Sequence, residues 1–272
     1  MALAEPRWYA GLASLKNELG LSDTTHDAKL KRYLARASAY VERVTDRVFY
    51  PTTATRRFDA PDKPRGALYL NDDLLSVTSI SDDDGALAGT AYFLYPANRL
   101  PKQRVELLAT EESWHWDDSR QQAIAIVGDW GYSADYEATG ATLAAAITST
   151  TATTCTVSDA SLIEIGWWLL IDSERLAVTG LSGATATILR GVGGSTAATH
   201  ANAASIYRYL PPADIAEATA LLASVWYGWR EAGGVVSEQI GDYAVRYAEG
   251  YPIPRTVDEL LARYRRMAVG AR

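Results

Sequence analysis

Apolar residues recur every three or four positions near both ends of the chain, whereas the middle carries short apolar runs broken by turn residues. Within residues 14–48, Leu30, Leu34, Ala37, Val41, Val44 and Val48 form a single stripe that predicts an amphipathic helix about twenty residues long. Thr25 or Asp27 can accept its first-turn amides, Pro51 closes it, and Lys29, Lys31, Arg32, Arg36, Glu42 and Arg43 occupy the other face. Residues 212–268 carry the second helical region. Pro211 and Pro212 precede Asp214, a capping carboxylate with Glu217 three residues on. Ile215, Ala218, Leu222, Val225, Trp226 and Trp229 then extend an apolar face toward Gly233 and Gly234. A third helix is predicted to open at Thr256, with Glu259 at the reciprocal capping-box position and Val257, Leu260, Leu261 and Tyr264 facing inward. Such stripes are marginal as isolated helices in water, so the three are expected to pack on one another.

Between 56 and 131 the pattern changes to short runs at 68–70, 74–80, 91–95, 104–109 and 123–127. Asp82-Asp83-Asp84-Gly85, Gly89, Pro96-Ala97-Asn98 and Asp117-Asp118 separate them, which is the punctuation of antiparallel hairpins. The Asp triplet reads as a turn, because the later ligands and terminal Glu of a calcium loop are absent. Residues 135–142 form an expected boundary. After it the chain becomes rich in Thr and Ala, with strand patterns at 153–157, 167–172, 175–179, 184–189 and 205–209. Trp167, Trp168, Leu169, Leu170 and Ile171 would be costly in water, so this stretch reads as a small folded sandwich or barrel rather than a flexible stalk. Three regions result: 1–140 with the N-terminal helices and first β region, 141–209 as an inserted Thr-rich module, and 210–272 with the C-terminal helices.

A 272-residue chain that is 48% hydrophobic can bury a sizeable core. Its formal charge of −7 argues against general binding to a phosphate backbone. No apolar run of 18 residues and no charged-then-apolar leader is evident, so the expectation is a soluble protein, intracellular at synthesis, with no membrane partner. One cysteine, Cys155, excludes an intrachain disulfide framework and reads as a buried small residue.

Catalytic constellations are weak. His26, His115 and His200 share no short-range ligand spacing, so no metal is expected. His115 sits between Trp114 and Trp116 and reads as part of an aromatic turn or contact surface. The segment Arg190-Gly191-Val192-Gly193-Gly194-Ser195-Thr196 lacks the lysine of a phosphate loop, and a hairpin or surface loop is expected there. No Gly-x-Ser-x-Gly elbow occurs. Asp172 and Glu174 read as polar turn residues rather than as the paired carboxylates of a glycosidase. Neither an enzyme nor a cofactor is expected.

Contact surfaces compete better. Trp167 and Trp168 point to opposite strand faces, so at least one serves the core of the Thr-rich module; together with His200 they are its surface candidates. Tyr243, Val245 and Tyr247 share one face of a strand, with Ala244 and Arg246 on the other. Eight Trp and sixteen Tyr supply the amphipathic anchors common at assembly interfaces.

Several segments now acquire a common reading. Ser14-Leu15-Lys16-Asn17-Glu18-Leu19-Gly20, the helix over 30–49 ending in Val44-Thr45-Asp46-Arg47-Val48-Phe49, Gly128-Asp129-Trp130-Gly131-Tyr132, residues 211–230 and residues 237–247 together, and in that order, resemble the head-to-tail adaptor, or head completion, family of tailed bacteriophages. The resemblance covers most of 12–268 outside the Thr-rich segment. That segment, over 159–209, is similar to small β modules that recur within phage structural proteins, on Leu170-Ile171-Asp172-Ser173-Glu174 and on the run from Arg190 to His200.

The resemblance implies an α+β fold: a helical adaptor core with an antiparallel β extension and an inserted small β-sandwich or barrel module. It implies a homo-oligomeric ring of twelve copies beneath the portal protein, with a tail-side neck or completion protein docked on the other face. Double-stranded DNA would pass through without sequence-specific binding, helped by acidic walls if the acidic groups face the lumen. The location implied is the virion neck at the head–tail junction, after synthesis in the host cytoplasm. The packed ring helices would be 25–49 and 212–230, and 256–272 would be a C-terminal helix and arm approaching the portal. The ring or partner interface residues are then Trp226, Tyr227, Trp229, Arg230, Ile240, Tyr243, Arg246 and Tyr247, with Arg263, Arg265 and Arg266 toward a neighbour or the portal. The large segment 141–209 departs from minimal adaptors. The alternative is another neck or tail protein whose β module binds a cell-surface glycan or receptor.

Overall fold

The computed structural model of the chain describes residues 6–108, 113–231, 235–239, 244–247 and 252–266. Four α-helices lie within these residues: α1 (Leu12–Glu18), α2 (Asp27–Thr45), α3 (Ala213–Glu231) and α4 (Arg255–Ala262). Six strands follow α2: β1 (Thr52–Phe58), β2 (Leu68–Asp82), β3 (Gly85–Ala86), β4 (Tyr92–Tyr95), β5 (Lys102–Leu107) and β6 (Ile124–Trp130). Six more precede α3: β7 (Tyr136–Thr142), β8 (Thr154–Thr156), β9 (Trp168–Ile171), β10 (Glu174–Ser182), β11 (Thr185–Leu189) and β12 (Ser205–Tyr209). A short pair, β13 (Val235–Gln239) and β14 (Ala244–Tyr247), lies between α3 and α4.

This architecture corrects the expected helical adaptor core. The protein is β-rich, 33% strand against 25% helix, and built on two six-stranded antiparallel sheets. The physical reason is that each sheet buries an apolar core of its own. Two long stripes at the chain ends were conspicuous in the sequence, but short alternating strands account for more of the interior. Two compact units result, one holding residues 6–46, 136–190 and 196–266, the other 47–135 and 191–195.

In the first unit α2 and α3 pack side by side in opposite directions. Lys29 meets Glu231 at 3.0 Å, while the Tyr40 and Trp226 rings meet edge to face at 5.9 Å. Leu30, Leu34, Ala37 and Val41 are fully buried along α2, as the stripe predicts. Each such Leu contributes roughly 1.5–3 kcal/mol relative to exposure. The helix nevertheless stops well before Pro51, because Asp46 adopts a left-handed conformation (φ 53°) that caps it. Val44 and Val48 are only partly buried. Neither predicted capping carboxylate acts as a cap. Asp214 lies inside the first turn of α3 and receives Arg263, and α4 begins after Pro254, with Glu259 accepting from Arg255 at 3.0 Å.

The Thr-rich sheet runs β7-β12-β9-β10-β11-β8. Its two edges meet, since Leu143 bridges Val157, Ser158 N–H donates to Thr142 O and Ala144 N–H donates to Thr156 O, each at 2.8 Å. Closure removes the exposed edges that an open sheet would leave. Leu169, Ile171, Leu176, Val178, Ile188 and Ile206 fill the interior. Residues 136–142, within the expected boundary at 135–142, are a strand of this sheet. Residues 6–9 strap the module to the helices: Trp168 Nε1 donates to Pro6 O at 2.7 Å, and Tyr9 N–H donates to Ser38 Oγ of α2 at 3.1 Å. Gly166, at φ +98°, leaves room for Trp8, whose ring would lie 2.2 Å from any Cβ there.

The second unit is the sheet β1-β6-β2-β5-β4, with β3 paired to β2. Phe58, Leu74, Ile80, Val105, Ile124, Ile126 and Trp130 form its core. β6 is an interior strand, flanked by β1 and β2. A Cβ on Gly128 would sit 2.1 Å from Ser76 O, so the bulged β2 can approach only a glycine.

Candidate functional site

A buried ionic cluster organises the Thr-rich module. β9 and β10 form a hairpin closed by Asp172 and Ser173, with Asp172 at φ 53°, which places Asp172 and Glu174 beside each other at the turn. Glu174 is wholly buried, and its carboxylate receives Arg190 Nε and Nη2 at 2.6 Å each, Ala198 N–H at 2.9 Å and His200 Nε2 at 2.8 Å. His200 Nδ1 faces Asp172 Oδ2 at 2.7 Å. Both ring nitrogens thus meet carboxylate oxygens; a neutral ring donates from one nitrogen, an imidazolium from both. Arg190 also donates to Ser149 O at 2.9 Å and to Ala198 O. The cluster clamps the two ends of the 190–200 connection, and its polar atoms are saturated by one another, which leaves Glu174 unsuited to proton transfer with a substrate. Among the described residues, no group of three or more His, Cys, Asp or Glu is placed to hold a metal ion.

The glycine-rich connection inside this clamp is not a hairpin, and it lies only partly at the surface, with Gly194, Thr196 and Thr199 exposed. β11 pairs with β10 and β8, not with β12. Val192 and Gly193 are buried in a short 3-10 turn, and a Cβ on Gly194 (φ +73°) would lie 2.3 Å from Thr53 O.

His200 and Trp168 are corrected as surface candidates, since they are 3% and 1% exposed. Trp167 is partly buried against the module core, with the Arg208 guanidinium 4.3 Å from its ring centre. Sequence reasoning missed the Glu174–Arg190–His200 association. Its signal was available: these are charged or polar groups in an otherwise charge-poor, Thr- and Ala-rich stretch, where a buried charge requires a partner.

The predicted assembly residues divide. Trp226 is buried, donates Nε1–H to Pro252 O at 2.8 Å and carries Arg36 over its ring at 5.6 Å. Tyr227 is buried too, with its hydroxyl 2.9 Å from His26 Nδ1. Trp229 is half-buried and Arg230 exposed. Arg263 pairs with Asp214 at 2.6 Å, Arg265 with Asp258 at 3.2 Å, and Arg266 N–H donates to Thr45 O at 2.9 Å. Ile240 and Tyr243 lie outside the described residues, as do the side chains of Arg246 and Tyr247, although the β14 backbone pairs with β13.

In the second unit the Gly128–Tyr132 segment draws distant residues together. Asp129 accepts from Thr53 Oγ1 at 2.5 Å and Ser76 Oγ at 3.2 Å, and Trp130 Nε1 donates to Ala54 O at 3.0 Å. Tyr132 N–H donates to Val48 O at 3.0 Å; its ring lies 5.3 Å from that of Phe49 and 5.4 Å from the Arg47 guanidinium, which pairs with buried Asp73. A cleft of about 510 Å³ is lined by Arg56, Arg57, Tyr69, Asn71 and Asp72 among others. Its charges are internally matched: Arg56 pairs with Asp72 and lies over Trp130 at 4.6 Å.

No protein-family model matches the chain, and no curated protein matches it. Among solved structures it is similar to a chain from the neck of an empty GTA particle computed with C6 symmetry, at 15% identity and TM-score 0.46. It is similar also to a chain from the neck of a native GTA particle computed with C12 symmetry, at 15% identity and TM-score 0.43. A third likeness, at 15% identity and TM-score 0.42, is to a chain from the virion of a native gene transfer agent (GTA) particle. Each of the three covers 99% of this chain and 96% of the other.

Proposed function

We propose that this chain is a structural subunit of the neck of a tailed phage or phage-like particle. It acts there as the head-to-tail adaptor, forming a ring of twelve copies beneath the portal, with a DNA passage and a tail attachment surface. The observation that supports the reading is that the segments carrying the family resemblance are packing partners. Residues 30–45 pack on 213–230 within one unit, and Arg47, Val48 and Phe49 meet Tyr132 of the Gly128–Tyr132 segment within the other. Segments so far apart in sequence have no local reason to fit one another, so their pairing argues that the resemblance is one of fold. The receptor-binding alternative loses two of its three candidates, because Trp168 and His200 are interior.

The test is to mix the purified protein with the portal of the particle that encodes it and to image the mixture by electron microscopy. A coaxial ring on the portal is expected. A protein that stays monomeric with portal present, and binds glycans instead, would overturn the reading.

A further inference from the structure

We propose that copies of this chain join head to tail, the basic outer face of α2 on one copy docking against an acidic double turn on the next. This rests on the ring reading and names the surfaces that close it.

The basic face is unusual for a chain of charge −7. Arg32, Arg36 and Arg43 are exposed on α2, and the exposed Ala28, Ala35 and Ala39 between them keep that face low. Their guanidinium groups lie over aromatic rings, Arg32 over Tyr33 at 5.9 Å, Arg36 over Trp226 at 5.6 Å and Arg43 over Tyr40 at 5.2 Å. A ring face holds a guanidinium in place while leaving its N–H edge for an anionic group. Among the described residues no carboxylate of the chain pairs with Arg32 or Arg43.

The acidic surface is in the second unit. Asp82, Asp83 and Asp84 turn the chain between β2 and β3, and Asp117 and Asp118 lie beside them. Asp82 accepts His115 N–H at 2.9 Å, and Asp83 accepts Asp117 N–H at 3.1 Å. These contacts hold the two turns together with backbone amides, and a histidine reaches Asp117 at 3.4 Å. Among the described residues no Lys or Arg pairs with any of the five. One chain therefore carries, among the described residues, two arginines that meet no carboxylate on one face and five aspartates that meet no Lys or Arg on another. Charge complementarity commits the occupant of each to a second copy. Two different patches make a heterologous contact, the kind that builds a ring when its rotation closes, whereas a two-fold contact stops at a dimer.

Reversal of charge tests this. Arg32→Glu with Arg43→Glu makes one variant, and Asp84→Lys with Asp117→Lys and Asp118→Lys makes the other; all five side chains are exposed. Circular dichroism and melting report their folding, and sedimentation their assembly. Each variant alone should need at least about tenfold more protein to assemble. An equimolar mixture of the two, or one chain bearing all five changes, should recover assembly, because the altered α2 face is then net negative and the altered turns net positive, so every contact again joins opposite charges. Wild-type assembly should weaken between 0.05 and 0.5 M salt, concentrations chosen to span about a threefold change in screening length. Normal assembly of folded variants, or no recovery in the mixture, would overturn the inference while leaving the ring reading intact. A wild-type chain that forms no ring even on the portal would overturn both.

Discussion

At the scale of single residues, Glu174 ties the Thr-rich module together from its interior. Its carboxylate answers Arg190, Ala198 and His200 in an interior position. Removing it takes the buried carboxylate away from Arg190 and from His200 Nε2, which costs about 3–5 kcal/mol. Glu174→Ala should therefore lower the urea midpoint by far more than Glu174→Ala combined with Arg190→Met and His200→Leu lowers it beyond the single change. Similar successive losses at each step would contradict the clamp. Cys155 allows a second check. It is 6% exposed, and burial pushes its thiol above the ordinary range, with Arg190 opposing weakly. The thiolate is the reactive form, so native protein at pH 8 should resist alkylation and react fully after unfolding. Stoichiometric labelling of native protein would refute that burial. The sequence already placed Cys155 in the interior; the buried carboxylate was not legible, because Asp172 and Glu174 look like ordinary turn residues until His200 and Arg190 arrive from elsewhere in the chain.

At the scale of elements, helix interiors were legible and helix ends were not. Leu30, Leu34 and Val41 repeat with the helical period, and Leu34→Ala should cost about 2–5 kcal/mol in chemical denaturation. The predicted stop at Pro51 failed because a single-sequence signal cannot choose between Asp46 in a left-handed turn and Pro51. The strap over 6–9 was invisible for a related reason: Trp8 needs a glycine at 166 to lie against, and nothing in the local pattern connects the two. Ala at Gly166 would combine a positive φ with a clash on the Trp8 ring. A loss of about 1–3 kcal/mol is expected, with faster proteolysis near residues 6–9. Unchanged proteolysis would show that Gly166 does not hold the strap.

At the scale of the whole molecule, surface ion pairs are better suited to docking than to stability. Arg263 and Arg265 are largely exposed and paired with Asp214 and Asp258. Such pairs contribute only about 0–1 kcal/mol. Arg263→Glu with Arg265→Glu should leave melting nearly unchanged and reduce portal docking in a pull-down, if the C-terminal segment faces the portal as proposed. Full docking by this variant would remove these arginines from the interface.

The sequence by itself determined the two terminal apolar stripes, the turn-punctuated strands and the charge imbalance, because each is carried by neighbouring residues with a fixed geometric period. It did not determine the balance between helix and sheet, which reversed the expected core, nor the closure of β7 against β8. Those follow from strand partners chosen over long separations, where hydrogen-bond pairing and shared burial decide between alternatives that look equal locally. Tertiary structure alone also decided which chemistry is interior: it drew His200, Glu174 and Arg190 into one clamp.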